Sequence, residues 1–323
     1  MNRTTRLVLP ALVILVGGLL TAGLLYGDFP VPPSSVLRAL TGTAEPRASF
    51  FVLDVRLPRL LLALTTGAAF GLAGAIAQSL VRNPLASPDV LGTTSGAAAG
   101  AVSALLLLGW TGAAVSGAAL VGGLVTAGVV HLLAVARGRN LVLIGVAIAA
   151  LLAGGVSWLL TVGEATQAQA ALVWLTGTLD GRSWPELGSL LWFTIPAALA
   201  VVPFARPLAL LGHGDDLARS LGVAVGKTRF FLTVAATVLA SAATAAVGPV
   251  AFVALTAPAL ARLLAGSREP SLAASALTGS ALLMLADLLA RSLSSAAEIP
   301  VGVVTGIVGG AYLLFLLVGR GTR

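Results

Sequence analysis

Charge is the scarcest property of this chain. Only 10% of its 323 residues are Asp, Glu, Lys or Arg, whereas soluble domains carry roughly 25%. Hydrophobic residues make up 58%, glycine adds 38 residues, and the mean hydropathy is +1.02. A water-soluble globule this poor in charge could not cover its surface. The composition excludes soluble enzymes, nucleic-acid binders and disordered proteins, and it indicates a polytopic protein of the lipid bilayer with no nucleic-acid partner.

Cysteine is absent, and histidine occurs only at positions 131 and 213. The chain therefore has no disulfide framework, thiolate metal site or cysteine nucleophile. The two histidines lack metal-ligand spacing, and no hydrolytic triad is visible. A single adjacent acidic pair, Asp215-Asp216, falls short of the several carboxylates that metal-bound diphosphate chemistry needs. We expect no catalytic residue, metal or cofactor in this chain.

Long continuous apolar runs dominate the sequence. A helix needs roughly 20 apolar residues to cross the hydrocarbon core, because it satisfies its own backbone hydrogen bonds there. The runs lack the alternating pattern of an outer-membrane barrel. They predict an all-α protein with ten transmembrane helices, at about 7–25, 57–80, 90–109, 112–135, 141–162, 187–205, 230–249, 251–265, 272–290 and 301–318.

The segment 230–265 is too long for one span and short for two. Gly248-Pro249 interrupts it, and proline both removes a backbone donor and clashes with the preceding turn. With two helices, 13 of the 19 Lys and Arg residues lie inside and 6 outside; with one helix the split is 10 against 9. The positive-inside rule favours ten spans with both termini in the cytoplasm.

Two local patterns admit other interpretations. The first run could be the core of a signal peptide, but it is long enough to span the membrane. The segment from Gly222 to Thr228 resembles a phosphate-binding loop with one residue too few between its glycines. We expect another polypeptide to hydrolyse any ATP.

The sequence predicts that residues 1–323 form a single membrane domain. The apolar stretch 168–179 is too short to cross the membrane, and we expect it to lie at the outer interface.

Few ionisable residues fall within the predicted spans. Asp287 and Arg291 are four residues apart on one helix and can pair along its face. A proton-coupled transporter would need more buried carboxylates. Small residues recur at four-residue spacing and predict close packing within the chain, with a subunit interface as the alternative. These positions are Gly67/Gly71, Gly92/Gly96/Gly100 and Gly302/Gly306/Gly310.

Several short motifs occur in a characteristic order over about residues 50–318. In the first half they are Arg56-Leu57-Pro58-Arg59-Leu60, Gly67-Ala68-Ala69, Gly74-Ala75, Gln78, Arg82-Asn83-Pro84-Leu85-Ala86, Leu91-Gly92 and Ser95-Gly96-Ala97. In the second half they are Trp174 with Gly177, Gly214-Asp215, Ala218 to Gly222, Gly248-Pro249-Val250, Ala286-Asp287, Ala290-Arg291 and Glu298 to Gly302. Together they resemble the FecCD family of permease subunits.

The resemblance implies a type II ATP-binding-cassette (ABC) importer for iron–siderophore complexes, haem or vitamin B12. It implies a vitamin B12 permease-like bundle of ten helices in the bacterial inner membrane. A second permease subunit, identical or related, two ATPase subunits that bind ATP and Mg, and an extracytoplasmic substrate-binding protein would complete the assembly.

The resemblance also assigns roles to individual residues. The inner loop, about 206–229, resembles the segment whose short helix couples to the ATPase, through Asp215, Asp216, Arg219 and Ser220. On the outer side, exposed arginines are expected to receive carboxylates of the binding protein, at Arg56, Arg59 and Arg291. A cytoplasmic gate is expected at Asn83, Leu85, Asn140 and Leu141.

The sequence departs from the family pattern after the Gly-Pro break. Ala259 stands where a histidine is common, and Ala251 and Ala254 replace two glycines. The pattern near Ala254 resembles catecholate-siderophore permeases more than vitamin B12 permeases. An ion-driven secondary transporter and an intramembrane enzyme are the alternative functions.

Overall fold

The computed structural model of the chain is a bundle of helices. It describes residues 3–27, 29–137, 141–267, 271–293 and 299–320, within which no strand occurs. The all-α prediction is therefore confirmed for these ranges. The helices are α1 Arg3–Leu25, α2 Pro33–Leu40, α3 Pro46–Ser49, α4 Leu57–Val81, α5 Thr93–Leu108, α6 Ala113–Arg137, α7 Leu141–Val162, α8 Ala165–Leu175, α9 Trp184–Val201, α10 Ala205–His213, α11 Asp215–Ser220, α12 Val225–Val247, α13 Val253–Ala265, α14 Leu272–Leu293 and α15 Val301–Arg320.

Each of the ten predicted runs coincides with a helix. Within the described ranges, seven helical segments are long and apolar enough to cross a membrane, judged by length and composition alone. Three more apolar helices are shorter, at 10–17 residues: α5, α13 and the stretch Val301–Leu314 of α15. The chain is therefore a multi-span membrane protein, whereas ten crossings and cytoplasmic termini stay predictions.

The predicted break at Gly248-Pro249 is present. Helix α12 ends at Val247 and α13 begins at Val253, so two helices occupy the doubtful segment. Gly248 has a φ of +82°, which suits a residue without a Cβ. Phe252, immediately before α13, has a φ of +66°, an uncommon conformation for a bulky side chain.

The polar stretches are more helical than the sequence suggested. Residues 206–229 contain most of α10, all of α11 and the first turn of α12. Between α1 and α4, the structure adds α2, α3 and a π-helical stretch at Phe50–Arg56. Helix α8 is short, as expected for the apolar stretch that cannot cross. Sequence reasoning missed α2 and α10 because neither carries a long apolar run.

Helix α4 lies at the centre of the bundle, and its glycines allow the backbones of neighbouring helices to approach it closely. A Cβ on Gly67 or Gly71 would overlap backbone atoms of α14, and one on Gly74 would overlap the carbonyl oxygen of Ala254 in α13. Gly96 and Gly100 bring α5 equally close to α6, and Gly302 abuts the carbonyl oxygen of Thr176. Packing within the chain is thus confirmed for these positions. Gly306 and Gly310, in contrast, face open space.

Replacing Gly71 with alanine tests this packing. The new methyl group would overlap the carbonyl oxygen of Ser275, a backbone atom that cannot move independently of its helix. We expect Gly71→Ala to cost about 1–3 kcal/mol of stability. The matched control is Gly18→Ala on α1, where nothing lies within 4 Å, and where alanine favours the helix by up to about 1 kcal/mol. Thermal melting in one detergent compares the two; equal melting temperatures would contradict the close approach.

Candidate functional site

The short helix α11 forms as its sequence predicts. Asp215 and Asp216 occupy its first turn, where carboxylates are favourable beside free backbone N–H groups. Gly214 precedes the helix with a φ of +135°, and Gly222 follows it with a φ of +83°. A side chain at either position would be strained, so the two glycines set the limits of this helix.

Asp215 attaches α11 to two long helices. Its Oδ1 accepts hydrogen bonds from Arg82, just beyond the end of α4, and from Nη2 of Arg229 in α12 at 2.9 Å. Arg82 also donates from Nε to the carbonyl oxygen of Leu211 in α10, at 2.9 Å. Arg82 adopts a left-handed conformation (φ +55°), which turns the chain after α4. Asp215 therefore belongs to an ion-pair network that joins α4, α10, α11 and α12.

The opposite side of α11 points into solvent. Asp216 is fully exposed, and it pairs with Arg219 at 2.8 Å across one helical turn. Ser220 donates a hydrogen bond to the carbonyl oxygen of Leu217 at 2.9 Å. Both side chains are exposed, and among the described residues no hydrogen bond or ion pair joins Asp216 or Arg219 to another helix, so their charges are available to another molecule. The four predicted coupling residues thus divide into one anchor, Asp215, and an exposed set.

The predicted gate residues are only partly described. Asn83 and Leu85 lie in the exposed turn after α4, where Asn83 Oδ1 accepts a hydrogen bond from the Leu85 backbone N–H at 2.9 Å. Asn140 lies outside the described residues. Leu141 begins α7, but its side chain also lies outside them. The cytoplasmic gate at these four residues therefore stays a prediction.

The outer arginines are not exposed, which corrects the expectation from the sequence. Arg56 is only 4% exposed and donates to the carbonyl oxygens of Leu24 (2.7 Å) and Phe29. Arg59 is 9% exposed, and the Arg291 side chain is 7% exposed. Sequence reasoning failed here because a guanidinium near a helix end looks exposed until its tertiary partners are known.

One buried carboxylate joins two of these arginines. Asp287, which is fully buried in α14, lies 2.9 Å from Nε of Arg59 and 2.8 Å from Nη2 of Arg291. The predicted pairing of Asp287 with Arg291 is confirmed, whereas the link to Arg59 in α4 was missed. Arg59 also approaches Asp180, a half-exposed carboxylate, at 3.6 Å. Ion pairs of this kind tolerate burial only when each charge keeps its partner.

A third polar contact lies between α4 and α13. Gln78, which is buried, accepts a hydrogen bond from Nη1 of Arg262 at 2.7 Å and donates one to the carbonyl oxygen of Leu255 at 3.0 Å. Gln78 stands among the motifs named from the sequence, but its pairing with Arg262 was missed, because 184 residues separate the two. Across the described part of the chain, no group of three or more His, Cys, Asp and Glu residues could hold a metal ion.

The comparison with known families decides the identity of this bundle. A family model described as the FecCD transport family matches residues 12–319. The chain belongs to the FecCD transport family. Members of this family are transport permease subunits of ABC importers and are not themselves enzymes. The FecCD chain is thus a multi-pass protein of the bacterial inner membrane.

Individual relatives agree with this assignment. The FecCD chain is 41% identical over 299 residues to the ferric enterobactin transport system permease protein FepG of Escherichia coli, covering 92% of this chain and 91% of FepG. It is 40% identical to the Fe(3+) dicitrate transport system permease protein FecD of the same organism, covering 95% and 98%. A solved inward-facing metal-chelate type ABC transporter matches with a TM-score of 0.86 and 28% identity, covering 97% of this chain and 98% of its own.

Removing the shared carboxylate tests the buried charge cluster of this FecCD permease. Asp287→Asn deletes the negative charge that Arg59 and Arg291 share, and we expect a loss of about 3–5 kcal/mol. The control is Asp180→Asn, whose side chain is 58% exposed, with an expected cost of at most about 1 kcal/mol. Melting temperatures in detergent give the comparison. An Asp287→Asn protein that melts like the wild type would show that this cluster does not stabilise the bundle.

Proposed function

We propose that this FecCD chain is the membrane-spanning subunit of an importer that moves a ferric siderophore, of the catecholate type, into the cell. Its bundle crosses the membrane ten times with both termini in the cytoplasm. It works with a second permease, two ATPase subunits that bind ATP and Mg, and an extracytoplasmic binding protein. The similarity to permeases whose names specify ferric enterobactin and ferric dicitrate supports a ferric chelate as the substrate.

The two-sided helix α11 carries the proposal. Its anchored side, through Asp215, holds the ends of α4 and α12, and its exposed side presents Asp216 and Arg219 to solvent. A partner that moves α11 must therefore also move the ends of two long helices. This arrangement supports a chain that transmits motion from a separate ATPase and hydrolyses no ATP itself.

The same proposal gives roles to the two ends of the bundle. We propose that the binding protein docks at the outer end, near Arg56, Arg59 and Arg291. Because these side chains are largely buried, we expect a partner carboxylate to approach Arg59 beside the half-exposed Asp180, which lies 3.6 Å from it. At the inner end, Asn83, Leu85, Asn140 and Leu141 are proposed to narrow the pathway.

Reconstituted transport tests the function. In proteoliposomes that contain this permease with its ATPase and binding protein, we expect uptake of a ferric catecholate only when ATP is supplied. A ferric citrate competitor in excess should not abolish that uptake. Accumulation driven by a proton gradient without the ATPase would instead show a secondary transporter. Uptake of ferric citrate but not of the catecholate would overturn the substrate class alone.

Charge reversal on α11 tests the coupling role. Asp216→Lys should lower the melting temperature only slightly, because it removes an exposed ion pair within α11 and a favourable charge in its first turn. It should lower ATP-driven uptake by about ten-fold or more, because the reversed charge opposes the partner's docking surface. Asp215→Lys should lower both, because it also breaks the bonds to Arg82 and Arg229.

The control is Glu164→Lys, an exposed charge reversal just before α8, in the loop that follows α7. It should leave uptake and stability unchanged. Normal uptake by the double variant Asp215→Lys/Asp216→Lys would argue against any coupling role for α11.

A further inference from the structure

Helix α2 presents three different faces. Val36 and Ala39 are buried against the rest of the segment that joins α1 to α4. Ser35 and Arg38 line a depression of about 270 Å³. Leu37 and Leu40 form the third face and are 66% and 50% exposed. An exposed apolar face beside a cationic one is typical of helices that lie in a membrane interface.

The depression beside α2 is cationic and held in place by aromatic stacking. Among the described residues, its charged lining consists of Arg38, Arg47 and Glu45. The Arg47 guanidinium lies 4.6 Å from the centre of the Phe29 ring, and Phe29 stacks on Phe51 at 4.5 Å. A cation over an aromatic face gains electrostatic stabilisation and loses freedom. Arg47 is therefore positioned before any ligand arrives.

Neither the Arg38 nor the Arg47 guanidinium pairs with a carboxylate within the described parts of the chain. The ion pairs found there are made by other arginines. Arg38 and Arg47 are both exposed at the rim of one depression. Guanidinium groups present planar donors that match phosphate oxygens. Two such groups facing one depression favour an anionic ligand with several acceptor oxygens.

The position of this segment identifies the source of the anion. The residues between α1 and α4 connect two helical segments that are long and apolar enough to cross a membrane, so in the proposed topology they emerge at one face of the bilayer, close to the lipid headgroups. Beside the depression, the apolar side chains of Leu37, Leu40 and Phe50 are exposed. An acidic protein surface would place charged groups against them, which is unfavourable. A phospholipid suits both the guanidinium groups and the apolar side chains, because it carries a phosphate next to glycerol and acyl carbons.

We infer that this depression binds a phospholipid headgroup, with its phosphate between Arg38 and Arg47 and its apolar part on Leu37, Leu40 and Phe50. Glu45 on the same rim provides an acceptor for an ammonium group and repels a second negative charge. An aminophospholipid, with one phosphate and one ammonium, therefore fits best. This lipid site is independent of the transported substrate and of the ATPase, so it stands or falls separately from the proposed function.

The absence of cysteine makes a site-specific test possible. Leu37→Cys carries the single thiol of the chain, and a fluorophore attached there reports its surroundings in nanodiscs. We expect phospholipids brominated near the headgroup to quench it and aqueous iodide to quench it little. Quenching by iodide but not by brominated lipid would overturn the proposal. So would shielding that appears only when an acidic binding protein is added, since that would identify a protein partner.

A second measurement tests the phosphate contact. Native mass spectrometry of the purified permease should show a retained phosphatidylethanolamine that inorganic phosphate does not replace. Arg38→Gln and Arg47→Gln should each reduce its occupancy on the order of ten-fold, the expected effect of losing one charge-assisted hydrogen bond. Arg206→Gln, an exposed arginine in α10 at the opposite end of the bundle, is the control and should change nothing.

The Glu45→Gln variant tests the ammonium contact. It should remove the preference for phosphatidylethanolamine over phosphatidylglycerol and keep binding of both. Full retention of phosphatidylethanolamine in the double variant Arg38→Gln/Arg47→Gln, or its displacement by millimolar inorganic phosphate, would overturn the lipid site.

Discussion

The hydrocarbon core supplies no water to a polypeptide backbone, and this constraint shapes the whole chain. Every crossing segment must satisfy its own N–H and C=O groups, so the apolar runs become helices. Residues 248–252 form an irregular stretch between the apolar helices α12 and α13, in which Gly248 and Val250 are buried and Ala251 is exposed. Its neighbourhood is closed by hydrogen bonds from the Thr178 N–H to Val247 (2.8 Å) and from the Gly302 N–H to Gly177 (3.1 Å). Other segments of the chain thus satisfy part of the backbone next to this irregular stretch.

Within that constraint, glycine decides which helices approach most closely. Lipid tails offer no hydrophobic driving force between helices, so close contact and polar bonds must hold them together. Gly67, Gly71 and Gly74 place the backbone of α4 against α14 and α13. Polar contacts then tie α4 to its neighbours along its length, among them Arg59 to Asp287 near one end, Gln78 to Arg262 further along, and Arg82 to Asp215 at the other end. Helix α4 thereby connects the predicted docking end of the bundle to the predicted coupling end.

The arginines show where reasoning from the sequence reached its limit. The sequence predicted the pair of Asp287 and Arg291 correctly because both lie on one helix, four residues apart, where geometry is local. It could not predict that Arg59 shares the same carboxylate, since 228 residues separate the two. The same limit explains why Arg56 was expected to be exposed: its acceptors are the carbonyl oxygens of Leu24, near the end of α1, and of Phe29, just after it. Nothing in a local motif reveals a backbone acceptor.

The sequence alone determined the class of environment, the positions of the apolar helices, the break at Gly248-Pro249 and the limits of α11. All of these follow from composition, apolar length, or the backbone preferences of proline, glycine and acidic residues within a few positions. Only the tertiary structure decided which charges are buried, which glycines touch another helix and which residues on α2 share one depression. Those properties depend on contacts between segments distant in the chain, and a local pattern carries no information about which segment will lie opposite.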